Sequence, residues 1–214
     1  RTRAALPTIE AILAGGGRPV LMSHLGRPGG RREEGLGLAP VAARLAELTG
    51  RKVHMAPECV GAEPERMSRE LEPGEILVLE NLRFHPEEKK GEEDFALGLA
   101  ACGDLFVGDA FGTAHRAHAS VAVVPRFLPA AAGLLLEREI EAFARVLERP
   151  ERPFVAILGG AKVSDKLPVI RNLLPRVDRL LVGGAMAYTF LEARGLGVGA
   201  SLVEEELLGE AQEV

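Results

Sequence analysis

The sequence predicts an α/β protein of two lobes, each a parallel sheet flanked by helices in the Rossmann-like manner. Three observations lead there. Short apolar runs recur along the 214 residues, each followed by a turn and then a helical pattern. Basic residues and glycines collect just after those runs, where open α/β sheets bind their ligands. One amphipathic stretch, stopped by two prolines, divides the chain.

In chain order, Val20 to His24 reads as a strand, followed by a Gly/Pro loop and a helix from about Ala39 to Leu48. Glu75 to Leu79 is a second strand, leading through Glu80-Asn81-Leu82-Arg83-Phe84-His85 to an acidic helix near Glu92 to Ala101. Asp104 to Val107 runs into Gly108-Asp109-Ala110-Phe111-Gly112, Phe154 to Leu158 into Gly159-Gly160, and Arg179 to Val182 into Gly183-Gly184. Continuous apolar strands alternating with helices imply strands buried on both faces of a parallel sheet. Leu134 to Leu147 has the apolar period of a helix, and Pro150 and Pro153 stop it before the next strand. The expected organisation is a first lobe over residues 1–133, a connecting helix and hinge over 134–149, and a second lobe over 150–214. Gly15-Gly16-Gly17 follows a helical pattern and reads as a helix stop, not a dinucleotide fingerprint.

Composition narrows the function. Hydrophobic residues make up 47%, enough for a sizeable core. The 26 basic and 31 acidic residues give a formal charge of −5, which argues against a nucleic-acid partner. The charge is uneven: residues 1–32 hold Arg1, Arg3, Arg18, Arg27, Arg31 and Arg32 against Glu10 alone, while glutamates crowd the stretch from Val203. A locally basic face on an acidic protein suits a small anionic ligand. No run has membrane-spanning length and no leader pattern opens the chain, so a soluble cytoplasmic protein with no membrane partner is expected. Cys59 and Cys102 stand in no CxxC spacing and read as small buried apolar residues.

The chemistry concentrates in loops. In Ser23-His24-Leu25-Gly26-Arg27-Pro28 the glycine permits a tight turn and the proline stiffens it, so His24 and Arg27 are presented together. The planar guanidinium fork suits phosphate or carboxylate; taken alone, the hexapeptide reads equally well as an ordinary strand-to-helix loop. Arg83 with His85, and Arg116 with His115 and His118, repeat the pairing on two further loops. A zinc site at His115 and His118 lacks a third ligand at workable spacing. Three like charges on one sheet edge repel one another, and an anionic substrate resolves the repulsion.

Gly159-Gly160-Ala161-Lys162-Val163-Ser164-Asp165-Lys166 is a different apparatus. Paired glycines let backbone approach phosphate, and Ser164 or Asp165 is expected to cap the following helix, with Pro168 in its first turn. Only five of the basic residues are lysines, and Lys162 and Lys166 lie four apart in this loop. Lysine is a flexible point charge able to follow a moving phosphoryl group. The pattern is not a Walker A loop, because no Gly-Lys-Ser/Thr follows the required spacer. Gly183-Gly184-Ala185-Met186-Ala187 either lines a nucleotide base pocket or permits close helix–sheet packing.

Together Ser23–Pro28, Leu79–His85, Gly108–Ser120, Ile157–Lys166 and Val182–Leu191 resemble the phosphoglycerate kinase family in order and spacing, across essentially the whole chain. The resemblance implies an enzyme of glycolysis that moves a phosphoryl group between ATP and the carboxylate of 3-phosphoglycerate, giving ADP and 1,3-bisphosphoglycerate. Mg²⁺ would be carried by the nucleotide, with no metal ligand in this chain, and the protein would be a monomer when complete. It implies that His24, Arg27, Arg83 and Arg116 hold the acid substrate on the first lobe. Arg1 would stabilise the transferring group and Lys162 would track it, while Lys166, Gly160, Gly183 and Gly184 would hold the nucleotide. The family's opening strand, with its Asp and Asn, and the later part of its nucleotide lobe are expected beyond the ends of this chain, so the second lobe is only partly present and this segment alone is expected to be inactive. Gly108 stands where the family usually has Asn. Two other readings stand beside it: a short non-enzymatic form that binds a phosphorylated acid or a partner, and a Rossmann dehydrogenase, for which the G-x-G-x-x-G after a strand is absent.

Overall fold

The computed structural model describes residues 2–148 and 150–214. They form two compact units, one running to Glu141 and the other spanning Ala142–Val214.

The first unit contains α1 (Thr2–Ala14), β1 (Val20–Leu21), α2 (Ala39–Thr49), β2 (Val53–Met55), α3 (Ala62–Arg69), β3 (Ile76–Val78), α4 (Pro86–Lys90), α5 (Glu93–Ala100), β4 (Phe106–Gly108) and β5 (Ala130–Ala132). Strands β1, β3 and β2 lie side by side, all parallel, and β4 pairs in parallel with β5. The central strand β3 is buried along its whole length. Its side chains alternate between two cores, as strand geometry requires. Ile76 and Val78 pack with Ile9, Leu38, Ala42 and Leu45 on the α1/α2 side. Leu77 and Leu79 pack with Phe95, Ala96 and Leu99 on the α5 side. Two covered faces explain why this run is uninterruptedly apolar.

The sequence-based strand at Val20–His24 pairs only at Val20 and Leu21, because the chain leaves the sheet there to become the long loop reaching Leu38. The helix stop at Gly15–Gly17 is present: Gly15, Gly16 and Gly17 donate to Ala11, Leu13 and Ile12 carbonyls, with Gly16 at φ +79°. Both cysteines are free and buried, and burial pushes each thiol pKa upward.

Helix α6 (Leu134–Leu147) follows β5. No residue before it can cap it, so the cap comes from elsewhere in the first unit. Asp109 Oδ1 accepts from the Leu135 and Leu136 amides at 2.9 and 3.1 Å, and Thr8 Oγ1 accepts from Leu134 N while donating to Asp109 Oδ2. A Cβ on Gly133 would collide with Asp109 Oδ1, so glycine is what admits this carboxylate.

The second unit holds β6 (Val155–Gly159), α7 (Leu167–Leu173), β7 (Arg179–Gly183), α8 (Met186–Ala193) and α9 (Leu208–Glu213). Strands β6 and β7 pair in parallel from Val155↔Arg179 to Gly159↔Gly183. Here the expectation of strands buried on both faces fails. Leu158, Leu180 and Val182 pack on Val163, Leu167, Ile170 and Met186, but Ile157 is 76% exposed and Leu181 51%. The described helices of this unit cover one face of the pair and leave the other open.

Candidate functional site

Strands β1 and β3 run in the same direction and release their chains at the same edge. The β1 loop carries His24 and Arg27, the turn after β3 carries Arg83, and the loop after β4 carries Arg116. The three arginines are brought together. Arg83 is half-buried, and its pKa is pushed below the ordinary value first by burial and then by the guanidiniums of Arg116 and Arg27. Its NH1 donates to the Gly26 carbonyl at 2.9 Å, while its Nε is buried with no hydrogen-bond partner among the described residues. Gly26 has φ +66°, and a Cβ there would meet Leu36 Cδ2 at 2.9 Å, so the turn that places Arg27 beside Arg83 needs glycine. Arg27 and Arg116 are exposed, and His24 is half-buried. Mutually repelling cations with a buried unmet donor are groups whose charge and hydrogen bonding an anion would satisfy.

The histidines flanking Arg83 and Arg116 play a different part. His85 stacks on Phe95 with ring centroids 5.0 Å apart, and its Nε2 lies 3.4 Å from Glu58 Oε2 without a hydrogen bond. His118 is buried, with Nδ1 3.7 Å from Glu88 Oε1. Its pKa is lowered by burial, partly offset by Glu88 and reinforced by Arg116, Arg83 and Lys89. Glu88 also accepts from Ser120 Oγ at 2.6 Å and Ser120 N at 3.0 Å, which fixes the loop just beyond Arg116. His85 and His118 therefore shape the loops. His115 is exposed.

In the second unit the two glycine pairs meet. Gly184 has φ +72°, and a Cβ there would lie 2.6 Å from the Gly160 carbonyl oxygen. Met186 N donates to that same oxygen at 3.0 Å. The stem of Lys166 runs beside Gly160, where a Cβ would meet Lys166 Cε at 3.7 Å. Lys162 is exposed on the same loop.

The expected capping of α7 by Ser164 or Asp165 is not what forms. The N-cap is Lys166 and no side chain caps it, although Pro168 does fall in the first turn. Ser164 instead donates through Oγ to Glu204 Oε1 at 2.6 Å, and Glu204 Oε2 accepts from the Val163 and Ser164 amides. These bonds, with Lys162 as a lesser influence, hold the Glu204 carboxyl below its usual pKa. A residue forty positions downstream thus occupies the amides that the sequence suggested Ser164 would leave to the helix. Among the described residues no group of three or more His, Cys, Asp or Glu could hold a metal ion, and no helix is long and apolar enough to cross a membrane. Arg1 lies outside the described residues.

Sequence reasoning passed over Asn81, Glu80, Glu88, Asp109 and Glu204. One signal was available: Glu80 and Asn81 directly follow the apolar run of β3, and two polar residues at the buried end of a strand must find partners.

The geometry defines a class: an α/β protein with clustered arginines at a sheet edge of one unit and a glycine–lysine loop on the other. The family model for phosphoglycerate kinase matches residues 1–214, and the chain belongs to that family. It is 59% identical over 214 residues to the phosphoglycerate kinase of Moorella thermoacetica and 53% identical over 215 residues to that of Aquifex aeolicus, covering all of this chain and 54% of each relative. Among solved structures it resembles phosphoglycerate kinase from Coxiella burnetii with TM-score 0.86 and 42% identity, covering 100% of this chain and 53% of that one. The enzyme from Pyrococcus horikoshii gives TM-score 0.83 at 33% identity, with 100% and 56% coverage. The chain spans about half the length of the curated relatives it matches.

Proposed function

We propose that this chain contributes the acid-substrate site and the opening of the nucleotide site of a phosphoglycerate kinase, which transfers a phosphoryl group reversibly between ATP and the carboxylate of 3-phosphoglycerate. Residues 1–133 form the substrate lobe on this reading, 134–149 the connecting helix and hinge, and 150–214 the start of the nucleotide lobe. The observation that carries the proposal is the Arg27–Arg83–Arg116 cluster, whose mutual repulsion and buried unmet Nε call for a bound anion.

The roles follow from charge and placement. His24, Arg27, Arg83 and Arg116 hold the phosphate and carboxylate of the acid. Lys162, exposed on its loop, follows the transferring group, and Arg1 is assigned its stabilisation. Lys166 holds a nucleotide phosphate, Gly160 lets backbone approach it, and Gly183 and Gly184 border the base. Phosphoryl transfer needs little covalent chemistry from the protein, so aligning and neutralising charge is the main task. Mg²⁺ carried by the nucleotide would neutralise phosphate charge further. The protein works as a cytoplasmic monomer on this reading.

The test is calorimetric titration of 3-phosphoglycerate into the unmodified chain and into Arg27→Ala and Arg116→Ala. Each variant is expected to bind about tenfold to a hundredfold more weakly, the value of one charge-assisted hydrogen bond. Unchanged affinity in both contradicts the assignment. In the protein carried to the length of its relatives, Lys162→Ala lowers turnover more than it raises KM; equal turnover removes the role given to Lys162.

A further inference from the structure

The cradle's arginines sit on backbone that the sheet does not hold. Residues 22–38 run from β1 to α2 without a regular element, and a loop of that length needs its own anchors. One buried side chain supplies three of them. Asn81 is fully buried, and its amide uses its whole hydrogen-bonding capacity. Nδ2 donates to the Leu25 and Leu36 carbonyls, both at 2.8 Å. Oδ1 accepts from Leu25 N at 3.3 Å and from Arg83 N at 3.0 Å. Leu25 lies between His24 and Arg27, and Leu36 lies at the far end of the same loop. Asn81 therefore ties the backbone that presents Arg27 to the backbone that presents Arg83. Its neighbour Glu80 reinforces the joint, accepting from Leu38 N at 2.9 Å and from Asn81 N at 2.8 Å. Two backbone bonds complete it, Leu82 N to Ser23 O and Gly30 N to Arg83 O.

We infer that Asn81 is the positioning residue of the anion cradle: it touches no ligand, and it sets the separation of Arg27 and Arg83 by bonding both loops at once. The inference rests on the arginine site proposed above. A buried asparagine that served only packing would need partners, but not partners divided between the two ligand-bearing loops. Anion sites depend on such support, because a displacement of about 1 Å can cost about a hundredfold in function.

Asn81→Asp separates these roles. It keeps the shape and the acceptor facing Leu25 N and Arg83 N, but it replaces two donors with an oxygen set against the Leu25 and Leu36 carbonyls. Asn81→Asp and Asn81→Ala are titrated with 3-phosphoglycerate beside the unmodified chain, Arg27→Ala, and Asn172→Ala as a control in the second unit. Folding is followed by circular dichroism, and the Arg83 Nε–H by nitrogen-15 NMR. The expected result is a folded Asn81→Asp that binds tenfold or more weakly, with an Arg83 Nε–H signal that no longer moves on titration, while Asn172→Ala binds normally. A folded Asn81→Asp with affinity within twofold of the unmodified chain overturns the inference while Arg27→Ala still reports the site. Absence of binding by the unmodified chain overturns the functional reading and this inference with it. If neither Asn81 variant folds, the unmodified chain decides: the Asn81 side-chain amide signals must move with the Arg83 Nε–H through the titration, and their failure to do so overturns the inference.

Discussion

The two units hold their loops in opposite ways. In the first, the arginine-bearing loops are fixed from beneath by polar side chains that are themselves buried: Glu80, Asn81 and Glu88 are 7%, 0% and 3% exposed. In the second, the glycine–lysine loop is pinned by Glu204, a half-exposed carboxylate. The cores differ in the same sense. Strand β3 is covered on both faces, whereas β6 and β7 are covered on one. A buried hydrogen bond has no water to replace it, so the first unit holds its arginine loops rigidly. A bond at the surface exchanges with water at little cost, so the second unit's loop is the more adjustable one.

The largest expected difference is in packing. Leu77→Ala, in the doubly covered strand, should lower stability by about 2–5 kcal/mol, while Ile157→Ala, on the open face of β6, should change it by less than about 0.5 kcal/mol. Chemical denaturation of both variants measures this, and equal losses would erase the contrast between the sheets. Next comes the borrowed helix cap. Asp109→Ala should cost about 0.5–2 kcal/mol, with faster amide exchange at Leu135 and Leu136; unchanged exchange there would mean that the carboxylate does not cap α6.

Acid should loosen the units in different windows. The folded pKa of His118 lies below its ordinary 6.5, so the unfolded chain binds the proton first, and stability is lost as pH falls from about 6.5 through the folded value. Exchange at the Ser120 amide should rise in that range. Glu204 and Asp178 are carboxylates with lowered pKa values: Glu204 is held by Ser164 and the Val163 and Ser164 amides, Asp178 by Arg152 and the Phe154 amide. Their contribution is present above the unfolded carboxylate pKa and is lost only as pH falls through the lower folded values. Amide exchange followed from neutral to acid pH should therefore show the first unit's Ser120 responding before the second unit's Val163. The reverse order would break the comparison. The smallest effect is Glu204→Gln at neutral pH, which should speed exchange at Val163 and Ser164 and leave Leu38 and Asn81 unchanged.

Much of this was written in the chain. The alternation of apolar runs with helical periods located β3, β6, β7 and α6, and the arginines after the strands fall on loops that the fold brings to one sheet edge. What stayed hidden has physical causes. Strand β5 is three alanines, all exposed, with no residue type that favours a strand; its pairing with Phe106–Gly108 alone makes it one. Strand β2 is three residues long, too short to show a period. The buried polar joints bond across long stretches of sequence, 56 residues from Asn81 to Leu25 and 32 from Glu88 to Ser120, and no local pattern carries such a pairing. The α7 cap went wrong for the same reason. Ser164 is locally placed to cap, but Glu204, from forty residues away, competes for it and wins with a charge.

The central claim is that Arg27, Arg83 and Arg116 act as one anion site, and its most direct test is the salt dependence of 3-phosphoglycerate binding by the unmodified chain and by Arg116→Ala. Between low salt and about 0.5 M, where screening length falls well below about 10 Å, affinity should drop steeply for the unmodified chain and less steeply for the variant. Binding that ignores salt, or slopes that match in the two proteins, would contradict the account.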